Sequence, residues 1–145
     1  MTEITVAMAD SQTSSPAAIL IVEDDCDSCE MLVLMVGKMF PTLLTHCAGD
    51  GKTGWELFQQ HLPDIVITDL SMPEMDGMEL ARLIRSRRPD TRLVAISADL
   101  ERAAHKSCCF DRQVFDSYLA KPFQFRDLMA VIECAVPMAA APTVT

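Results

Sequence analysis

Five short apolar runs punctuate this chain, and between them the apolar positions fall at helical spacing. The first run, Ala18–Val22, contains no polar residue and reads as a strand buried on both faces. Asp25–Phe40 then places Cys29, Leu32, Val36 and Met39 on one face of a helix, which Pro41 closes. Leu43–Ala48 is a weaker strand with Thr45 and His46 inside it, and Gly49-Asp50-Gly51 turns the chain. Thr53–His61 predicts a second helix, with Trp55 or Leu57 inward beside Phe58 and Leu62, and Pro63 ends it. Ile65–Thr68 gives the strongest strand signal because β-branched residues fill it. A loop up to Gly77 leads into a helix over Met78–Arg87 with Leu80, Leu83 and Ile84 inward. Pro89-Asp90 turns the chain into a fourth strand, Leu93–Ser97. Leu100–Cys108 predicts a short helix rich in alanine and charge, Tyr118–Ala120 centres a fifth strand, and Phe125–Val136 predicts a last helix with Leu128, Met129 and Ile132 on one side.

Strands and helices that alternate in this way imply a mostly parallel α/β sheet with helices on both faces and right-handed crossovers. In open sheets of this kind ligands sit outside the carboxyl ends of the strands. Asp24, Asp69, Ser97 and Lys121 each fall at or just past such an end. Two acids and a lysine gathered on one sheet edge can hold a divalent cation and a phosphoryl group together.

Composition narrows the setting. The chain has 145 residues, a length that suits one domain with one core. With 21 acidic and 12 basic residues its formal charge is −9, which argues against non-specific nucleic-acid binding and fits a protein that holds a cation or meets a basic surface. Residues 1–17 are small and polar, lack the basic start and apolar centre of a secretion signal, and read as a flexible leader. Residues 137–145, with two prolines and no charge, read as a loose tail beyond a domain over 18–136. No apolar run is long enough to span a membrane, which points to the cytoplasm, and there the six cysteines read as thiols.

The ordered motifs carry a resemblance. Glu23-Asp24 follows Ile19-Leu20-Ile21-Val22; Asp69 is followed by Met72-Pro73 and Asp76-Gly77; Ser97-Ala98 comes next; and Tyr118 stands three residues before Lys121-Pro122-Phe123. Over 18–136 the chain resembles the receiver domain of bacterial two-component response regulators. The resemblance implies a flavodoxin-like, doubly wound sheet of five parallel strands in the order 2-1-3-4-5. It implies that Asp69 accepts a phosphoryl group from a histidine of a sensor kinase or a phosphotransfer protein. Asp24, Asp69 and the carbonyl of Ser71 would bind Mg²⁺, with Mn²⁺ as a substitute, and Glu23 would hold a metal-bound water. Asp25 is the weaker candidate ligand. Lys121 would pair with Asp69 and then follow the phosphoryl charge, across a cis bond to Pro122. Ser97 and Tyr118 would relay the change to the face around the fourth helix, fifth strand and fifth helix, where a target protein or a second copy could dock. Ser71 and Asp99 flank the route of attacking water and would tune phosphoryl lifetime. Such a protein is a switch rather than an enzyme, apart from its own phosphorylation and dephosphorylation.

Other readings compete. A receiver-like module could bind partners without phosphate, or act as a phosphate sink or relay. A dehalogenase-like phosphatase also uses an aspartate nucleophile with Mg²⁺, but calls for a second aspartate where Ser71 stands. A flavin-binding protein of similar topology needs phosphate-cradling loops, whereas the loop after Val22 is acidic. Cys26-x-x-Cys29 has the spacing of redox and zinc sites, without a matching second pair, and reads as core and rim packing. Cys108-Cys109 and the segment up to Asp116 depart from the family pattern. The methionines 72, 75 and 78 read as loop packing, and the three histidines as surface or rim residues.

Overall fold

The computed structural model describes residues 17–72, 75–98 and 114–135. Five strands form one parallel sheet: β1 (Ala18–Val22), β2 (Leu44–Ala48), β3 (Ile65–Asp69), β4 (Arg92–Ser97) and β5 (Ser117–Ala120). Their order is β2-β1-β3-β4-β5, as the resemblance implies. Four helices are described: α1 (Cys26–Met39), α2 (Gly51–His61), α3 (Gly77–Arg87) and α4 (Phe125–Ala135). The helix predicted over Leu100–Cys108, Cys108-Cys109, Asp99, residues 1–16 and the tail lie outside the described residues, whereas Ala17, read as the end of the leader, is buried in the core and its carbonyl accepts from the Leu44 amide.

The central strands are buried along their whole length because side chains alternate between two cores. Ile19, Ile21, Ile65, Ile67, Val94 and Ile96 face α1 and α4, where Cys29, Leu32, Val36, Leu128, Met129 and Ile132 meet them. Leu20, Val22, Val66, Leu93 and Ala95 face α2 and α3, against Phe58, Met78, Leu80, Ala81 and Ile84. At the outer edge, β2 keeps only Ala48 buried.

The apolar faces differ from expectation in α1, α2 and α3. Met39 is 42% exposed, and Phe40, the residue that caps α1, fills the core in its place at 1%. In α2 neither Trp55 nor Leu57 is fully buried; Phe58 alone reaches the centre. Gly54 explains this, because α2 lies so close to the sheet there that an added Cβ would stand 3.0 Å from a Val22 methyl. Leu62 ends α2 in the left-handed region at φ 46° and points outward, 40% exposed. Leu83 is half-buried, and Met78 and Ala81 join Leu80 and Ile84 in the core.

Three helices start on an aspartate that accepts a backbone N–H of the first turn: Asp25 from Asp27, Asp50 from Thr53 and Asp76 from Glu79. The bond from the Thr53 amide holds the Asp50 carboxyl below its usual range. These caps fix where the loops at the carboxyl edge of the sheet end, and so where the acids beside them stand.

Candidate functional site

Parallel pairing brings the strand ends level. Val22 lies opposite Thr68, Asp69 opposite Ile96, and Ser97 opposite Ala120. The ladder runs on past the strands: Glu23 N–H donates to the Ala48 carbonyl at 3.0 Å, Leu70 to Ile96 at 3.0 Å and Lys121 to Ser97 at 2.8 Å. Glu23, Asp69, Ser97 and Lys121 therefore stand at consecutive points on one rim.

Asp69 is the last residue of β3 and is 7% exposed. Its Oδ2 accepts from Lys121 Nζ at 2.9 Å and its Oδ1 from the Ser71 amide at 3.1 Å. The same ammonium donates to Glu23 Oε2 at 3.0 Å, while Glu23 Oε1 accepts from the Asp25 amide at 3.2 Å. Burial pushes the Glu23 carboxyl above its usual range; the bonds from Lys121 and Asp25 oppose this, and the charge of Asp69 adds to it. Burial alone would lower the Lys121 ammonium, but its hydrogen bonds to Asp69 and Glu23 outweigh burial and raise it. The Lys121–Pro122 bond is cis.

Asp24 is exposed, and a carboxylate oxygen of each of Glu23, Asp24 and Asp69 lies within 4.8 Å of the others. Three carboxylates against one ammonium leave the rim short of positive charge. Hard oxygen donors around such a deficit suit Mg²⁺ or Mn²⁺ rather than a soft metal. Asp25 is occupied elsewhere, because its carboxylate caps α1 and also accepts from the Ser28 hydroxyl at 3.1 Å.

Ser97 is 4% exposed at the end of β4, one strand from Asp69. Tyr118 is half-buried in β5, its ring edge-on to Phe115 at 5.7 Å. Met72 and Met75 pack against the α2–α3 core. His46 stacks on His61 at 4.0 Å, away from this rim.

Glycine decides how closely the loop after β3 can return. A Cβ on Gly77 would collide with the Asp69 carbonyl, and one on Gly51 with the Met75 carbonyl. Gly77 N–H donates to the Leu70 carbonyl at 3.1 Å, so the start of α3 is seated on the residue after Asp69.

Residues 19–133 match the family described as response regulator receiver domain. The chain belongs to that family. Among curated proteins, this receiver is 36% identical to PdtaR of Mycobacterium tuberculosis over 138 residues, covering 88% of this chain and 60% of PdtaR. It is 35% identical to the receiver protein CpdR of Brucella abortus over 115 residues, covering 79% of this chain and 92% of CpdR. It is also 33% identical to AtoC of Escherichia coli, where 83% of this chain matches only 25% of that longer protein. Among solved structures, TrrA of Thermotoga maritima shares the fold at TM-score 0.71 and 24% identity, over 83% of this chain and 99% of that one. The N-terminal domain of a Wolinella succinogenes protein matches at TM-score 0.70 and 34% identity, over 81% of this chain and 92% of that one. Receiver domains are phosphorylation-based signalling switches of two-component systems rather than enzymes in the ordinary sense.

At the site the structure adds three features that the sequence did not reveal, and it corrects the reading of the cysteines. Glu23 shares the lysine with Asp69, which its place after β1 made possible but did not reveal. Gly77 sits under Asp69, a close approach signalled only by a glycine at a helix start. The aspartates before α1, α2 and α3 serve as caps. The reading of all six cysteines as thiols does not hold, because Cys29 and Cys47 are joined as a disulfide.

Proposed function

We propose that this receiver takes a phosphoryl group onto the Asp69 carboxylate from a phosphohistidine of a sensor kinase or phosphotransfer protein. The carrying observation is the lysine that bridges Asp69 and Glu23 on a rim with excess carboxylate. In the transfer the P–N bond to imidazole breaks and a P–O bond to Asp69 forms. Burial strips water from the Asp69 carboxylate, and the bonds from Ser71 N–H and Lys121 hold its orientation. We assign Asp24, Asp69 and the Ser71 carbonyl as direct ligands of Mg²⁺, with Glu23 holding a bound water. When bound, the ion supplies positive charge for the phosphoryl oxygens. TrrA, of the same fold, crystallised with Mg²⁺ and a beryllium fluoride, which supports Mg²⁺ as the ion.

Lys121 would leave Asp69 for a phosphoryl oxygen, as a flexible point charge can. The Ser97 hydroxyl would donate to another oxygen, and Tyr118, paired in register with Ala95 one strand away, would respond with it. Output is then a change of surface that a target protein or a second copy reads. The excess of acid supports a protein rather than a nucleic acid as that target. Among the described residues no helix is long and apolar enough to cross a membrane. We place the receiver unit at 18–136, between a leader over 1–17 and a tail over 137–145.

Acetyl phosphate and Mg²⁺ should add the mass of one phosphoryl group to the protein, and chelation or Asp69→Ala should abolish the gain. No gain, or a gain that survives Asp69→Ala, overturns the proposal. The phosphate-independent module predicts the first of these outcomes.

A further inference from the structure

The second feature with chemistry of its own is the Cys29–Cys47 pair, which joins α1 to the edge strand β2 on the α1–α4 side of the sheet. The Cα atoms stand 6.6 Å apart, inside the roughly 4.4–6.8 Å span of disulfides. The two partners differ in access. Cys29 is 3% exposed among Ile19, Ile21, Leu32 and Val36, while Cys47 is exposed on the outer strand. Among the described residues Cys26 and Cys134 are free and exposed.

The bond is one of several ties between these elements. As a thiol, Cys29 would fill the same apolar space, since a free cysteine packs as a small hydrophobe. The strand β2 is also held to β1 by a register running from Ala18–Leu44 to Val22–Ala48. A cross-link that joins a buried cysteine to one on an exposed edge-strand position has the features of a reversible bond.

We infer that Cys29 and Cys47 form a thiol–disulfide modification site whose co-substrate is a low-molecular-weight disulfide such as oxidised glutathione. The exposed Cys47 thiolate attacks the small disulfide, whose S–S bond breaks as one half leaves with the electron pair. Cys29, having lost its proton to solvent, attacks the Cys47 sulfur of the mixed disulfide and expels the second half as a thiolate. Two protein thiols are oxidised, one small disulfide is reduced to two thiols, and the two protons balance the departing thiolates. Attack in the reverse direction, again entering at Cys47, reopens the pair.

The bond has a definite place to act. A groove of about 660 Å³ runs beside the Asp69 rim, with Leu32 and Met35 of α1 on one wall and Lys121 and Phe123 on the other. Cys29 lies one turn before Leu32 on the same helix, so closing the bond ties that wall to the sheet edge.

The test is thiol mapping of the full chain. After oxidised glutathione and then alkylation, peptide mass spectrometry should find Cys29 linked to Cys47 and both Cys26 and Cys134 alkylated. Dithiothreitol without denaturant should abolish the cross-linked peptide. Amide exchange in α1 and β2 should then speed up, and Cys47→Ser, at an exposed position, should show no such redox difference while remaining folded. Alkylation of both Cys29 and Cys47 after oxidation, a Cys26–Cys29 link instead, or a bond that native reduction leaves intact would overturn the inference.

Discussion

The two ends of the sheet use the same kinds of charge to opposite ends. At the amino edge, Arg85 donates to the carbonyls of Pro89, Thr91 and Val114 and to Asp116 Oδ2. Arg88 donates to the carbonyls of Leu62 and Pro63 and to Asp64 Oδ1. The two acids are occupied as well: Asp64 accepts from the Ala18 amide at the start of β1, and Asp116 from the Leu93 amide in β4. Each guanidinium there faces a carboxylate, and rigid forks tie loops to strand starts. At the carboxyl edge three acids stand together with one lysine, whose ammonium bonds two of them, Glu23 and Asp69. A closed network holds a shape, whereas an unbalanced one holds a capacity to bind.

That contrast can be broken by substitution. The largest effect should come from Asp69→Ala, with complete loss of phosphoryl uptake in the mass assay while circular dichroism stays that of the folded chain; residual uptake would move the acceptor elsewhere. Arg85→Ala should do the reverse, leaving uptake intact in the folded protein and costing about 2 kcal/mol in urea unfolding, the loss of charge-assisted bonds discounted for partial exposure. A cost near zero would show that the amino-edge clamp is ornamental. Asp69→Asn should raise stability without metal by about 1 kcal/mol, by removing one of the crowded carboxylates, and should erase the Mg²⁺-dependent rise in Tm that the parent chain is expected to show. A lower Tm for this variant would contradict the charge excess.

The smallest effect is a pH slope. With the Glu23 carboxyl raised in the fold, the folded protein holds more protons than the unfolded chain above the ordinary value of 4.5. Stability without metal should therefore fall as pH rises from there through the folded pKa. Denaturant titrations of Glu23→Gln should lack that part of the slope, and an identical profile would remove Glu23 as its source.

Much of this was legible in the chain. The inner strands could be read because both faces of Ile19–Val22 and Ile65–Ile67 are apolar, as a sheet covered on two sides demands. The rim could be read because each polar group directly follows such a run. The inward face of α2 was obscured because glycines, which carry no hydropathy signal, set how near the helix comes; Gly54 brings Phe58 to the centre and leaves Trp55 at the margin. The Glu23–Lys121 contact joins residues 98 positions apart, and only the assembled sheet brings them together. The same holds for Cys29 and Cys47, on a helix and an edge strand whose register no local pattern states.

The position of β5 has a consequence for the order in which the site comes into being. Glu23 and Asp24 directly follow β1 and Asp69 ends β3, both inner strands of the sheet, whereas their lysine arrives just after the last strand, at the outer edge. On a ribosome, or in any refolding route that grows outward from β1 and β3, the acids gather before their counter-charge does. The docking of β5 is then at once the closing step of the sheet and the first moment at which Asp69 has its partner. A half-built chain carries the proposed acceptor carboxylate but not the charge that steadies it, so competence to receive a signal would report that the domain is whole.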